Sequence, residues 1–334
     1  MALLFCESFD WSTTSADYLA KWAGGLAGGS VIVGAGGRNG SNGMNYDNGA
    51  LTKGVGTPAT FISGFAYKWG SAGARVFGVA YDGASLQDDL YVDATGLLSV
   101  RRGGSVVLAT STRAIALSQF YFIEWKVFIH ASAGTVEVRV NDEVWISATG
   151  LNTQATANAY VTSVGVTTLG GATVQTFDDF YICDTTGTAN TSFLGDIRVQ
   201  AILPTGAGAT TGWTPSAGSN YANVDEAAEN GDTDYNSTAT VGAIDTFAMG
   251  NLSSSTGSIK GVQHQPVARK DDAGTRTVAP VVRIGSTDYV AGAGVNVSTT
   301  YAPVVVVAEV SPATSAAWTI AEINSAEFGY KLIA

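Results

Sequence analysis

Five acids fall within ten residues in the stretch Asp225-Glu226-x-x-Glu229-x-x-Asp232-x-Asp234. Calcium takes hard carboxylate and carbonyl oxygens at that density. The stretch belongs to residues 204–257, which hold no Lys or Arg and are rich in Gly, Ser, Thr and Asn. A solvated acidic surface loop is the plainer account of such a composition. Asp225, Glu226, Glu229, Asp232 and Asp234 are the candidate ligands of a structural calcium, and no other cofactor is expected. Asp178-Asp179 is a second acidic pair. Strand alternation turns one of two neighbours inward, so one of them is expected to cap a turn or accept backbone N–H groups.

Catalytic constellations are hard to assemble from this chain. Retaining glycoside hydrolysis needs two carboxylates a few Å apart, which E-x-D alternation on one strand face supplies. No E-x-D occurs anywhere in the sequence. Asp142-Glu143 falls in a predicted turn, where acids serve turn geometry and solvation. A Ser-His-Asp site needs a histidine beside a nucleophile. The two histidines, His130 and His264, have no G-x-S-x-G elbow or cysteine near them. Gly34-Ala-Gly-Gly-Arg-Asn-Gly40 lacks the following helix and the lysine of a phosphate loop. Catalytic and cofactor-binding residues are therefore expected to be absent. Sugar sites pair aromatic faces with polar groups. Trp69, Tyr81, Tyr91 and Trp145 are the candidates, but each alternates into a predicted strand and is expected in the core.

The composition narrows the partners. The net charge is −11, and the bases cluster nowhere beyond Arg101-Arg102 and Arg269-Lys270. Nucleic acid and anionic membrane surfaces both require a basic footprint, so neither is an expected partner. The opening Met1–Asp10 has no basic start and too short an apolar run for a signal peptide. No stretch reaches the roughly 18 apolar residues of a membrane helix. Cys6 and Cys183 form no metal-binding spacing and are expected as reduced thiols.

The elements that must position these residues are strands. Tyr121, Ile123, Trp125, Val127 and Ile129 alternate along one strand face. Val136, Val138 and Val140 alternate with Thr135, Glu137 and Arg139, and Asn141-Asp142-Glu143 turns the chain into Val144-Trp145-Ile146. Asp93-Ala-Thr-Gly96 joins Asp89–Val92 to Leu97–Arg101, and Gly103-Gly104 turns again. Turns at 8–12 residue intervals predict a β-sandwich. A helical turn is expected at Ala16–Trp22. In the second half, strands are predicted at Ile197–Leu203, Ser258–Val267, Thr277–Ile284 and Pro303–Val310. Val278, Pro280, Val282 and Ile284 share a face, and Pro280 predicts an edge strand or a bulge. Thr319-Ile-Ala-Glu322 predicts the start of one short C-terminal helix that ends before Gly329. The polar stretch 184–192 suggests a boundary, giving modules at 1–186 and 187–334. Residues 204–257 read as a long, partly irregular segment.

Phe5-Cys-Glu-Ser-Phe-Asp10, the hairpin Thr135–Trp145 and the closing Phe177-Asp-Asp-Phe-Tyr-Ile182 resemble the concanavalin A-like, laminin-G-like jelly-roll family. The resemblance covers residues 5–184. It implies that the first and last strands of the module pair, bringing Cys6 and Cys183 onto adjacent strands. Residues 193–331 resemble the carboxy-terminal region of structural proteins of tailed phages. That likeness rests on Phe193–Gly206, Gly212-Trp-Thr-Pro215, Asn223-Val-Asp-Glu226, Gly231–Asn236 and Ala326–Tyr330. It implies a virion component and brings no catalytic residues. The expected fold is all-β: a jelly-roll sandwich followed by a second sandwich-like module. The expected function is a non-enzymatic bacteriophage virion structural protein, a surface fibre or capsid decoration. It would be assembled in the host cytoplasm with other virion proteins as a homo-oligomer, a trimer being favoured. A carbohydrate-recognising tail protein that binds host surface glycans is the alternative, and a polysaccharide depolymerase the third reading.

Overall fold

The computed structural model describes residues 2–12, 15–22, 31–46, 49–167 and 175–334. They form two compact units, Met1–Val199 and Gln200–Ala334. Every strand pairing is antiparallel. The boundary falls later than the composition suggests, because residues 193–199 bond to the first unit.

The first unit runs β1 Leu3–Glu7, α1 Ser15–Trp22, β2 Val31–Ala35, β3 Asn42–Tyr46, β4 Ala50–Gly54, β5 Thr60–Trp69, β6 Arg75–Asp82 and β7 Ser85–Val92. It continues with β8 Leu97–Arg102, β9 Val106–Ala114, β10 Phe120–Phe128, β11 Gly134–Val140, β12 Glu143–Leu151, β13 Ser163–Thr167 and β14 Gln175–Asp184. One sheet has the order β12-β11-β10-β5-β14-β3-β2, with β1 also on β14; the other has the order β4-β13-β6-β7-β8-β9. This is a jelly-roll β-sandwich: turn spacing predicts the sandwich, and the resemblance implies the jelly roll.

The inner faces explain why these segments are strands. Ile123, Trp125 and Val127 of β10 lie opposite Val140, Val138 and Val136 of β11, and all six are buried. Phe61, Phe65, Phe77, Phe177 and Phe180 join them in one core. Burying each such side chain stabilises the unit by about 1.5–3 kcal/mol. Asn141 and Asp142 adopt φ of 49° and 67°, the left-handed pair that a two-residue hairpin turn requires. The helix α1 is tied down by a buried carboxylate. Glu7 pairs with Lys21 at 2.9 Å and accepts from Trp11 Nε1 at 2.9 Å, Trp22 Nε1 at 3.2 Å and the Phe9 amide at 3.1 Å.

The terminal strands pair as the resemblance implies. Leu3 faces Cys183 and Cys6 faces Tyr181 across β1 and β14. The two cysteines are thus diagonal neighbours on adjacent strands, and both are thiols. Burial pushes the Cys6 thiol up to about 11. On the far side of β14, Asp178 faces Ala66 but Tyr181 faces Gly64, so one residue is inserted as a bulge. Asp179 takes φ 50° there. Gly64 makes room for the Tyr181 ring, because a Cβ at that position would stand 2.2 Å from Tyr181 Cε1.

The second unit comprises β15 Pro204–Thr211, β16 Thr214–Pro215, β17 Asn236–Ser237, β18 Ile244–Met249, β19 Val262–His264, β20 Val267–Ala268 and β21 Thr277–Ile284. It ends with β22 Thr287–Val290, β23 Val295–Asn296, β24 Ala302–Pro303, β25 Val306–Ala308, α2 Ile320–Ser325 and β26 Glu327–Leu332. Its main sheet has the order β15-β18-β26-β21-β22, with β23 also on β21; short ribbons β16-β17, β19-β25 and β20-β24 complete it. Thr319 caps α2, its hydroxyl accepting from the Glu322 amide at 3.1 Å.

Several expectations need correction here. Ile197–Leu203 forms no strand. The strand predicted over Ser258–Val267 shrinks to β19 and the start of β20, and that over Pro303–Val310 to the end of β24 and β25. Pro280 is not on an edge: β21 is interior, and Pro280 sits where its neighbour passes from β22 to β23. Its missing N–H therefore breaks no ladder bond. Residues 204–257 contain β15 and β18, which pair with each other. Buried Asp245 pins the chain between them, accepting from Gly212 N at 2.7 Å, Trp213 N at 2.8 Å and Asn220 Nδ2 at 2.6 Å.

Candidate functional site

The outer face of the six-stranded sheet carries an aromatic and polar platform. Leu90, Val92, Leu98 and Val100 point into the core. Alternation therefore turns Asp89, Tyr91, Ser99 and Arg101 to the other side. Register aligns them in two rungs: Tyr91, Ser99 and Thr110 lie side by side, as do Asp89, Arg101 and Val107. Arg101 forks onto Asp89, Nε to Oδ1 at 2.8 Å and Nη2 to Oδ2 at 2.8 Å. Two parallel charge-assisted bonds fix a guanidinium plane more firmly than one. That plane lies 4.0 Å from the centroid of the partly exposed Tyr91 ring. Ser99 and Thr110 share a hydroxyl bond of 2.9 Å beside it. Burial raises the Asp89 pKa, and Arg101 pulls it back. The result is a ring held in one orientation by a partly buried ion pair, with Val107 exposed on the neighbouring strand.

The other three aromatic candidates are placed differently. Trp69 is in the core, Tyr81 packs in a small buried cluster with Val79, and Trp145 leans against the core with the Arg113 guanidinium over it. Sequence reasoning put Tyr91 with them because it weighed residues singly. A turn centred on Asp93–Gly96 would set Asp89 opposite Val100 and Tyr91 opposite Leu98; the loop holds one residue more, Asp93 N bonding Leu97 O, and this brings Asp89 opposite Arg101 and Tyr91 opposite Ser99.

The eight-stranded sheet carries an acidic outer face. Glu124 accepts from Tyr181 Oη at 2.5 Å and from the Gly195 amide at 2.9 Å. Asp178 accepts from Arg38 N at 2.7 Å and Ser41 Oγ at 2.8 Å, while Asp179 accepts from Val199 N at 2.7 Å. Burial, then the charge of Asp179, raises Asp178 to about 7. Burial raises Asp179 to about 6. Both acids of the pair bond backbone N–H groups; alternation predicted this for one, and the bulge extends it to the second. The glycine loop 34–40 presents its Arg38 amide to a carboxylate here, the opposite of a phosphate site. All four acidic and phenolic groups of this face are buried.

The remaining candidates are structural. Of Asp225, Glu226, Glu229, Asp232 and Asp234 no three come together, and no described group of three potential ligands could hold a metal. Asp232 instead pairs with Arg269 at 2.8 Å and accepts from Tyr301 Oη at 2.9 Å. Asn230 bridges Glu226 at 3.0 Å and Asp234 at 2.6 Å, and Glu229 accepts from Gly231 N at 2.8 Å. Asp142 accepts from Asp196 N at 3.0 Å, and Glu143 pairs with Arg113. His130 Nδ1 accepts from Ser132 N at 3.0 Å and Ala133 N at 2.9 Å, which shapes a turn. His264 meets the edge of Phe328 at 5.3 Å beside a cavity of about 20 Å³ lined by Val262, Val282, Val306 and Trp318, and burial lowers its pKa to about 4.

No family model matches the chain, and no curated protein matches it. Among solved structures, it is similar to a mutant of Trypanosoma rangeli sialidase displaying trans-sialidase activity, at 12% identity and a TM-score of 0.34, over 46% of this chain and 27% of that one. A structure of Trypanosoma rangeli sialidase gives 14% identity and a TM-score of 0.33 over the same shares. The alginate lyase Aly36B gives 10% identity and a TM-score of 0.35, over 53% of this chain and 95% of that one. The chain thus spans about a quarter of the length of the sialidases it resembles. The expectation of a non-enzymatic virion fibre or capsid decoration is corrected by these findings, because the structures found are carbohydrate-active enzymes. Likeness at this level gives the chain no activity and no substrate, which must be argued from its own residues.

Proposed function

We propose that the first unit binds polysaccharide on the outer face of its six-stranded sheet. The observation that carries this reading is the Tyr91 ring held over the Arg101–Asp89 fork. Sugar rings present C–H faces that pack on aromatic rings and hydroxyls that pair with planar polar groups. A ring already fixed in place loses little conformational freedom on binding. The Ser99–Thr110 hydroxyl pair on the same rung supplies further hydrogen-bonding partners. The reading assigns no bond-breaking step to these two rungs, where Asp89 is the one carboxylate and is engaged by Arg101.

Affinity gel electrophoresis against a panel of soluble polysaccharides, alginate included, tests it. At least one polysaccharide is expected to retard the wild-type protein. Tyr91→Ala is expected to lose that retardation by tenfold or more while keeping the wild-type circular dichroism. Retardation unchanged in Tyr91→Ala and Arg101→Ala overturns the reading, as does wild-type migration unaffected by every polysaccharide.

A further inference from the structure

The two rungs of the Tyr91 platform run on across the rest of the six-stranded sheet. The Asp89 rung continues through Val79 and Gly165 to Thr52, and the Tyr91 rung reaches Val76. A third rung joins Leu86, Tyr81, Ser163 and Gly54. Residues opposite one another in a ladder share a face. Along these three rungs the described outer face therefore carries one acid, Asp89, and one base, Arg101. Asp89 is fully buried while Arg101 is 15% exposed, so the base is the one of the two that meets solvent. The fork uses Nε and Nη2 of Arg101, and Nη1 is bonded to no described residue. That nitrogen remains a donor for a ligand lying against the Tyr91 ring.

The neighbouring bases do not add to Arg101. Arg102 takes the opposite parity, lies across the ladder from Asp88 and donates to the Asn152 carbonyl at 3.3 Å. Arg113, near the end of β9, is drawn to Glu143 on the other sheet. The sequence pair Arg101-Arg102 thus makes no basic patch, and the charge of the platform sums to zero.

Resting on the glycan reading of this face, we infer that it takes uncharged polysaccharide, and that Asp89 sets this preference by neutralising Arg101. An anionic sugar group brought to Nη1 is attracted by Arg101 and repelled by the Asp89 carboxylate on the same guanidinium. Its desolvation then goes uncompensated. The net charge of −11 on the chain adds a longer-range repulsion at low salt. A sugar hydroxyl requires no counter-charge. It accepts from Nη1 or bonds to the Ser99–Thr110 hydroxyls, while the C–H face of the ring packs on Tyr91.

Affinity gel electrophoresis of the full chain at pH 8 tests this with polymers matched in backbone and differing in charge. The pairs are hydroxyethylcellulose with carboxymethylcellulose, dextran with carboxymethyl-dextran, and methyl-esterified pectin with polygalacturonate. In at least one pair the uncharged polymer is expected to bind wild type more tightly than its carboxylated counterpart, by about tenfold or more. In Asp89→Asn, which keeps an oxygen acceptor for Arg101 and removes the charge, the carboxylated polymer is expected to gain and that ratio to shrink. A purely structural role for Asp89 would weaken both members of a pair alike and leave the ratio unchanged, which overturns the inference. So does a carboxylated polymer that binds wild type as tightly as its uncharged partner; if Tyr91→Ala abolishes that binding, the glycan reading of the face still stands. Retardation by no polymer, or retardation unchanged in both Tyr91→Ala and Arg101→Ala, overturns the glycan reading and this inference together.

Discussion

Replacing Asp88 by leucine is expected to stabilise the first unit at neutral pH. Asp88 lies on β7 between Ala80 and Arg102 of the adjoining strands and shares the inward parity of Leu90 and Val92. It is fully buried, and neither carboxyl oxygen has a hydrogen-bond partner. An unsatisfied buried polar group costs about 1–3 kcal/mol. Burial, reinforced by the charge of Asp89, raises its pKa well above the ordinary carboxylate value, and the Arg102 charge only partly opposes this. A group that binds its proton more tightly when folded favours the folded state most below the unfolded pKa of about 3.9. That advantage is lost as pH rises from there towards the folded pKa, at up to about 1.4 kcal/mol per pH unit. Leucine, close to Asp in shape and apolar, removes both penalties. A gain of about 1–3 kcal/mol at pH 7 is expected, at roughly 2–4 °C of melting temperature per kcal/mol for a unit of this size. Tryptophan fluorescence reports chiefly on this transition, since five of the seven tryptophans lie in the first 186 residues. Asp88→Asn is expected to flatten the pH dependence between pH 4.5 and 8 with a smaller gain. A leucine variant that melts below the wild type at pH 7 refutes the reasoning, as does a pH dependence identical in wild type and Asp88→Asn.

Glu7→Ala leaves the Lys21 ammonium buried without its carboxylate and frees two indole N–H groups, so a loss of about 3–5 kcal/mol is expected in urea unfolding; a loss below about 1 kcal/mol would count against the buried pair as the anchor of α1. His264 is held neutral by burial, with a folded pKa of about 4 against about 6.5 unfolded. Its contribution is present above pH 6.5 and lost as pH falls towards 4. His264→Leu is therefore expected to raise the second unit's calorimetric transition relative to wild type more at pH 4.5 than at pH 7.5, and an equal difference at both pH values would rule this out.

Much of the first unit was legible because its strands obey period two against a single core. Ile123, Trp125 and Val127 declare one face, and Asn141-Asp142 marks the turn that returns the chain. The helix start at Thr319 was equally local. What escaped was whatever one residue can change. The bulge between Asp178 and Tyr181 reverses parity along β14, sending Phe180 into the core and Tyr181 out. Alternation alone cannot locate that insertion. Ile197–Leu203 has strand-like composition, but its start is satisfied by carboxylates and a guanidinium instead of a neighbouring strand. Pro280 looked like an edge residue because its tolerated position depends on where β22 ends and β23 begins, a fact of the partner strands. The acids of 225–234 cluster in sequence, yet only Glu226 and Asp234 meet, across Asn230, since Asp232 is drawn to Arg269 and Tyr301.

The two outer faces of the sandwich meet the same difficulty in different ways, and this decides which of them stays open to a ligand. A carboxylate buried on a sheet surface must find donors or give up its charge. On the six-stranded sheet the donor is Arg101, directly across the ladder from Asp89. That ion pair lies within the face, and the ring of Tyr91 is left partly exposed. On the eight-stranded sheet Asp178 and Asp179 share Arg38, and Glu124 and Tyr181 bond to each other beside them. Side chains alone do not supply enough donors there, and the backbone amides of residues 194–199 make up the difference. That face is consequently closed by the chain itself, with Tyr181 and Glu124 out of reach of solvent. Binding is therefore assigned to Tyr91 rather than to the more heavily charged cluster: the stronger electrostatic perturbation marks a surface the protein already occupies with its own backbone.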